Sequence, residues 1–165
     1  MFHKLLGSLV VVPVLLVMGA VAASADSSGT GYNMTITVPS SATLIARVAV
    51  PVTVQIACTG SVDTSGFWQV YGPYFSQGAS VTISQPSGRS VNSATGFVNG
   101  PIACDGVTHS YQVSVLASAP FRNGQAAITA SANWSEYGYG CGYMGCNSFS
   151  ASANATAQGA LSLSG

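Results

Sequence analysis

The sequence predicts an all-β protein, a single Greek-key β-sandwich of seven to nine antiparallel strands with two disulfides. Three observations support this prediction. Apolar and polar residues alternate with a period of two, turn-forming residues recur about every ten positions, and four cysteines follow a secretory leader. No stretch after residue 25 has the 3.6-residue period of an amphipathic helix. An up-and-down barrel is the alternative, but the unequal spacing of the strands counts against it.

The first 25 residues have the organisation of a cleavable signal peptide. Lys4 precedes an apolar run over residues 5–22, and the small residues Ala23-Ser24-Ala25 form a signal-peptidase site. The rival interpretation is an uncleaved anchor, because the run approaches the ~20 apolar residues that span a bilayer. Pro13 and the cleavage site favour removal. We therefore assign residues 1–25 to a signal peptide and 26–165 to one β-sandwich domain, secreted without a stable membrane anchor, either free or associated with the cell envelope.

The domain left after cleavage carries almost no charge. Lys4 is the only lysine of the chain, and the charged residues beyond residue 25 are Arg47, Arg89, Arg122, Asp26, Asp63, Asp105 and Glu136. Such a surface lacks the basic stripe that phosphate binding requires, which excludes nucleic acid as a partner. It also repels its own copies weakly, so self-association is expected to be easy.

Four segments alternate over several residues and predict half-buried strands: 52–58, 111–117, 126–134 and 149–157. Shorter strands are predicted over 33–38, 67–71, 80–84 and 96–98. Residues 42–49 include helix formers, but Pro51 and its β-branched neighbours favour the entry of a strand. The last two long segments are rich in alanine, and the hairpin that they form is expected to project beyond the sandwich.

The four cysteines predict two disulfides, for which three pairings exist. The glycine-rich segment 138–146 can close on itself, which favours a bridge between Cys141 and Cys146. That leaves Cys58 to pair with Cys104. A metal site is not expected, because the C-x4-C spacing is unusual for zinc and no paired histidines accompany it.

Three further segments carry a family resemblance: VPVTVQIAC at 50–58, CDGVTHSYQV at 104–113 and PFRNGQA at 120–126. Together they resemble a group of small secreted immunoglobulin-like β-sandwich proteins of actinobacteria, over about residues 45–135. The resemblance implies an immunoglobulin-like Greek-key sandwich, export from a bacterial cell and a bridge between Cys58 and Cys104. It implies no activity and no site residues.

The sequence does not predict an enzyme. Catalysis needs a nucleophile with a base, paired carboxylates or a metal. The mature chain has one histidine, His109, which would need Asp105 and one of the serines as partners. A histidine at a strand edge is the expected alternative, so we predict no catalytic residue and no cofactor.

Aromatic residues are the best candidates for binding. They form two clusters in the sequence, one over residues 67–75 and one over 134–143, and the weak candidates for contact are Trp68, Tyr71, Trp134, Tyr137, Tyr139 and Tyr143. For the two tryptophans a core position is the competing interpretation. The leading functional hypothesis is a non-catalytic protein that mediates extracellular protein contact or self-assembly at the cell envelope. The alternative is a carbohydrate-binding module that uses these aromatic side chains on a glycan.

Overall fold

The computed structural model describes residues 21–23, 25–26 and 32–165, with side chains from residue 32 onward. The predicted signal peptide, 1–25, lies outside the described residues except at 21–23 and 25. All regular structure described is β-strand: β1 (Val21–Ala23), β2 (Ala25–Asp26), β3 (Asn33–Thr37), β4 (Ser41–Thr43), β5 (Ala49–Thr59), β6 (Gln69–Ser87), β7 (Ser90–Phe97), β8 (Thr108–Leu116), β9 (Gly124–Gly142) and β10 (Gly145–Ser164).

The strands form two sheets. The larger sheet has the order β1-β10-β9-β6-β7, with β4 also pairing to β10, and the smaller has the order β2-β3-β5-β8. Every pairing is antiparallel except that of β4 with β10, which is parallel and which strand alternation could not reveal. The predicted all-β class and both predicted disulfides, Cys58–Cys104 and Cys141–Cys146, are confirmed. Within the described residues, no helix is long and apolar enough to cross a membrane.

The core lies between the two sheets and includes most of the residues that the alternation predicts to face inward, together with residues outside the strands such as Phe121 and Ile102. Strand β5 contributes Val52, Val54 and Ile56, and β9 contributes Ile128 and Ala130, all of them buried. Because each strand has a period of two, the intervening polar residues face solvent. The core is therefore built mainly from small and β-branched side chains.

Two predicted boundaries are wrong. The predicted strands 67–71 and 80–84 belong to one strand, β6, because the residues between them pair with β9 instead of turning. Residues 42–49 were expected to lead directly into a strand, but they contain the end of β4 and a turn before β5 begins at Ala49. Ala46 and Arg47 take left-handed backbone angles, with φ of 48° and 63°, in the turn that separates β4 from β5.

Strands β6, β9 and β10 together form a three-stranded region that we call the extension. It comprises residues 69–77 of β6, 134–142 of β9 and 145–153 of β10, which are paired in register from Trp134 to the tip at Gly142. Near the tip its inner face is covered by the segment at residues 61–67 instead of by a strand of the smaller sheet. Backbone hydrogen bonds hold this segment, with the Phe67 N–H donating to Thr64 O and the Trp68 N–H to Cys141 O, both at 3.0 Å.

Candidate functional site

Four tyrosines form an array on the outer face of the extension, which we call the tyrosine face: Tyr71, Tyr74, Tyr137 and Tyr139. Tyr71 lies directly opposite Tyr139, and Tyr74 lies opposite Tyr137. Each side chain is about half exposed. The Tyr74 and Tyr137 ring centroids are 5.4 Å apart, with the planes tilted by 30°. Four rings side by side on one sheet surface provide an amphipathic contact area at low cost in side-chain entropy.

An irregularity in β6 brings Tyr71 and Tyr74 to the same face. Residues three apart on a regular strand point to opposite faces, whereas their partners on β9, Tyr139 and Tyr137, are only two apart. The register shift between Tyr71 and Tyr74 inserts the extra residue that restores a common face. Gly72 has a φ of 107°, and a Cβ there would lie 3.2 Å from the Tyr74 nitrogen, so the irregularity requires glycine at this position.

Glycines alternate with the tyrosines of β9 and face inward. Phenylalanine rings cover them: a Cβ on Gly138 would lie 2.5 Å from the Phe149 ring, and one on Gly140 would collide with the Phe67 ring. The glycine-rich segment 138–146 was expected to be a loop, but β9 continues through it as far as Gly142, so that expectation is wrong. Tyr137, Tyr139 and Cys141 belong to β9. The residues between them are glycines because the Phe149 and Phe67 rings occupy the space that larger side chains would need.

The tip of the extension is a tight turn with two exposed residues. Cys141 and Cys146 are directly opposite each other and joined by the disulfide, and only Tyr143 and Met144 separate β9 from β10. Tyr143 is 98% exposed, and its ring meets Trp68 edge-to-face at 4.9 Å between centroids. Trp68 is 63% exposed, which contradicts its interpretation as a core tryptophan.

The other tryptophan candidate lies on the inner face. Trp134 is only 8% exposed and packs on Phe75 at 5.2 Å, so it takes no part in the tyrosine face. Glu136 is buried on the same side of β9. Of the six predicted binding residues, the structure therefore brings Tyr71, Tyr137 and Tyr139 together on the outer face and Trp68 with Tyr143 at the tip. It adds Tyr74, which the register with Tyr137 identifies.

The two edges of the extension differ. On β6, the residues of the extension lie beyond the pairing with β7, and this edge contains the irregularity with Pro73. On β10, β1 covers only residues 156–158 and β4 only 162–164. No strand among the described residues pairs with the outer edge of β10 over residues 145–155, so its backbone N–H and C=O groups face outward without a strand partner.

His109 and Asp105 form an exposed pair. His109 Nε2 lies 3.0 Å from both carboxylate oxygens of Asp105. The pKa of Asp105 is lowered first by the Val107 N–H, which donates to this carboxylate, and then by His109. No serine hydroxyl of the described chain bonds to His109, and the described residues include no group of three metal-ligating side chains. The pair closes the turn before β8.

Comparison with known proteins adds no relative. No family model matches the sequence, and no curated protein or solved structure is detectably similar to it. The resemblance to secreted actinobacterial proteins therefore stays a prediction.

Proposed function

We propose that this protein is an exported, non-catalytic contact protein whose extension binds other proteins, in the first place a second copy of itself. The observation that carries the proposal is the open edge of β10 over residues 145–155, beside the tyrosine face. An unpaired strand edge offers a row of backbone donors and acceptors to another chain. The two disulfides support the exported state, since such bridges persist in an oxidising compartment.

The composition of β10 supports its role as the docking edge. Natural proteins protect exposed edges with charged residues, prolines or bulges. The β6 edge has such protection in Pro73 and the neighbouring irregularity. Strand β10 contains no charged residue and no proline in any of its 20 positions. The unprotected edge is therefore the one expected to accept a partner strand.

A two-fold axis at Ser150 would pair two copies of this edge in antiparallel register. Ser148 would then face Ser152 of the second copy, and Phe149 would face Ala151. Residues that lie opposite each other share a face of the sheet. The two tyrosine faces would thus join on one surface of a six-stranded sheet. A nearly uncharged domain brings little repulsion to this contact.

The oligomeric state of residues 26–165, measured by size-exclusion chromatography with light scattering, tests the proposal. The wild-type domain is expected to dimerise with rising concentration. Ser150→Lys would set two lysines against each other at the axis and abolish the dimer, whereas Ser150→Thr, the matched control, would keep it. A mixture of Ser150→Lys and Ser150→Glu would restore association, because opposite charges then meet. A wild-type domain that stays monomeric at high concentration contradicts self-association.

The tyrosine face also favours a second candidate, a carbohydrate-binding module. Sugar rings stack on exposed aromatic rings, and the neighbouring β10 positions on this face, Ser148 and Ser150, present hydroxyl groups. Pull-down on chitin, cellulose and cell-wall polysaccharide tests it, with Tyr137→Ser/Tyr139→Ser as the variant and Val91→Ser, an exposed apolar residue of β7, as the control. Retention that the tyrosine variant loses and the control keeps would favour this function.

We also propose that the sandwich is immunoglobulin-like, as in the actinobacterial group that the sequence resembles. The strand order supports this: β3-β5-β8 corresponds to the A-B-E sheet, and β7-β6-β9-β10 to the C′-C-F-G sheet. The bridge differs from the usual one between strands B and F. Cys58 ends β5, and Cys104 precedes β8 of the same sheet. An experimental structure with a different strand order would contradict this assignment.

The non-catalytic assignment rests on the exposure of the His109–Asp105 pair and its lack of a described serine partner. A screen of the mature domain for hydrolase activity tests it. No turnover is expected. If turnover occurs and His109→Ala abolishes it, the protein is an enzyme and the proposal fails.

A further inference from the structure

A pocket of about 520 Å³ lies on the inner face of the extension, on the side opposite the tyrosine face. Its apolar walls include Val70, Phe75, Trp134 and Phe149, and the segment at residues 61–64 contributes to the other side. Its polar lining residues are Glu136, Tyr32, Ser61 and Thr64, of which only Glu136 can carry a negative charge near pH 7. The pocket lies on the face opposite the tyrosine face, and Phe149 is the one lining residue that also belongs to the β10 edge of the proposed function.

Within the described part of the chain, no cationic side chain pairs with the Glu136 carboxylate. The side chain is only 8% exposed and accepts a hydrogen bond from the Tyr32 hydroxyl. Among the described residues the one ion pair is that of His109 with Asp105, so no arginine pairs with Glu136. A buried carboxylate without a cation is costly, and proteins usually pair such groups.

The aromatic wall also carries the indole N–H of Trp134. Trp134 is buried, and this N–H makes no well-formed hydrogen bond to a described residue, although it lies close enough to the Tyr32 hydroxyl to act against the rise in the pKa of that phenol. The Trp134 and Phe75 rings meet at 5.2 Å with their planes tilted by 46°. Aromatic faces beside a carboxylate attract organic cations, since both the ring quadrupole and the negative charge favour a positive group.

The Tyr32 hydroxyl donates to one oxygen of Glu136, and the carboxylate can still accept a hydrogen bond from a ligand. Burial, followed by the hydrogen bond to Glu136 and the charge of Glu136, raises the pKa of Tyr32 to about 12. The phenol is therefore neutral near pH 7 and donates its proton to one oxygen of Glu136. A ligand can approach the carboxylate from the pocket side.

We propose that this pocket binds a small organic cation, an ammonium or N-methylated ammonium group on a compact apolar body. The cation supplies the charge that Glu136 lacks, and its apolar substituents contact Phe75, Trp134 and Phe149. A neutral ligand of the same shape leaves the carboxylate without a counterion. A bare metal ion would find one carboxylate and no group of three ligating side chains in the described chain.

Tryptophan fluorescence tests the proposal. In a Trp68→Phe background Trp134 is the only tryptophan and reports directly on the pocket. Titration with choline is expected to give a saturable change in emission. Its neutral isostere, 3,3-dimethylbutan-1-ol, is expected to bind at least about tenfold more weakly. This comparison needs no change in the pocket itself.

Two variants test whether the Glu136 carboxylate is the charge that binds choline. Glu136→Gln keeps the shape of the side chain and is expected to weaken choline binding by at least about tenfold. Asp63→Asn, the control, removes an exposed carboxylate that belongs to the same segment but does not line the pocket, and it should leave binding unchanged. Absence of a saturable response to choline, equal binding of the isostere, or unchanged binding in a folded Glu136→Gln variant overturns the proposal.

Discussion

The body of the larger sheet and the extension use the same three strands in opposite ways. In the body, β9 directs Ile128 and Ala130 into a core shared with the smaller sheet. In the extension, β9 still directs Trp134 and Glu136 inward, but closer to the tip its inward positions are glycines. Phenylalanine rings fill the space at Gly138 and Gly140, and Tyr137 and Tyr139 face outward. A strand can therefore continue past the core of the sandwich if aromatic rings from other segments fill the space of its own inward side chains. The outward face then becomes available for contact.

Removing the disulfides is expected to have the largest effect of the changes that compare the body with the extension. The body bridge, Cys58–Cys104, closes a loop between residues 46 apart, and the tip bridge, Cys141–Cys146, joins residues 5 apart. We expect Cys58→Ala/Cys104→Ala to lower the free energy of unfolding by about 4 kcal/mol, and Cys141→Ala/Cys146→Ala to lower it by about 2 kcal/mol. Urea unfolding of both variants measures this. Equal losses would mean that the extension contributes as much to global stability as the body.

The packing of the Phe67 ring against β9 can be tested at Gly140. Gly140→Ala puts a methyl group where the Phe67 ring lies and is expected to cost about 1–3 kcal/mol through overpacking. The loss should appear as faster amide hydrogen exchange over residues 138–142, with the exchange of Ile128 unchanged. Gly66→Ala is the matched control, since a Cβ there meets no atom within 4 Å. Normal exchange in Gly140→Ala would show that Phe67 does not support the strand.

The smallest expected effect concerns the junction of the two regions, where Tyr32 meets Glu136. Burial is the main cause that raises the pKa of Tyr32 from 10.0 to about 12. The neutral phenol is thus favoured in the folded state. Its contribution to stability is complete below pH 10, declines between pH 10 and about 12 as the unfolded chain loses the proton first, and is absent above that range.

Comparison with Tyr32→Phe isolates this contribution. The difference in free energy of unfolding between wild type and variant should shrink between pH 10 and about 12. Urea unfolding at several pH values measures it. A difference that is independent of pH would mean that Tyr32 titrates alike in the folded and unfolded chain.

Sequence reasoning succeeded where one local rule applied. Alternation identified β5, β8 and the inward residues of β9, and loop closure favoured the pairing of Cys141 with Cys146. It failed at residues 138–146, because Tyr-Gly repeats are typical of loops, and the Phe67 ring that covers Gly140 comes from a distant part of the sequence. It also could not decide between a core and a contact position for Trp68, whose exposure depends on which face of the extension meets the segment at residues 61–67.

Composition and periodicity by themselves determined an all-β chain, its two bridges and an almost uncharged surface. These properties follow from which residues are present and how they alternate. Only the tertiary structure decided that Tyr71, Tyr74, Tyr137 and Tyr139 share one surface, since this depends on the register between β6 and β9 and on one inserted residue. Only it brought Tyr32 to Glu136 across 104 positions of the chain. Contacts between distant segments depend on packing, which no local pattern encodes.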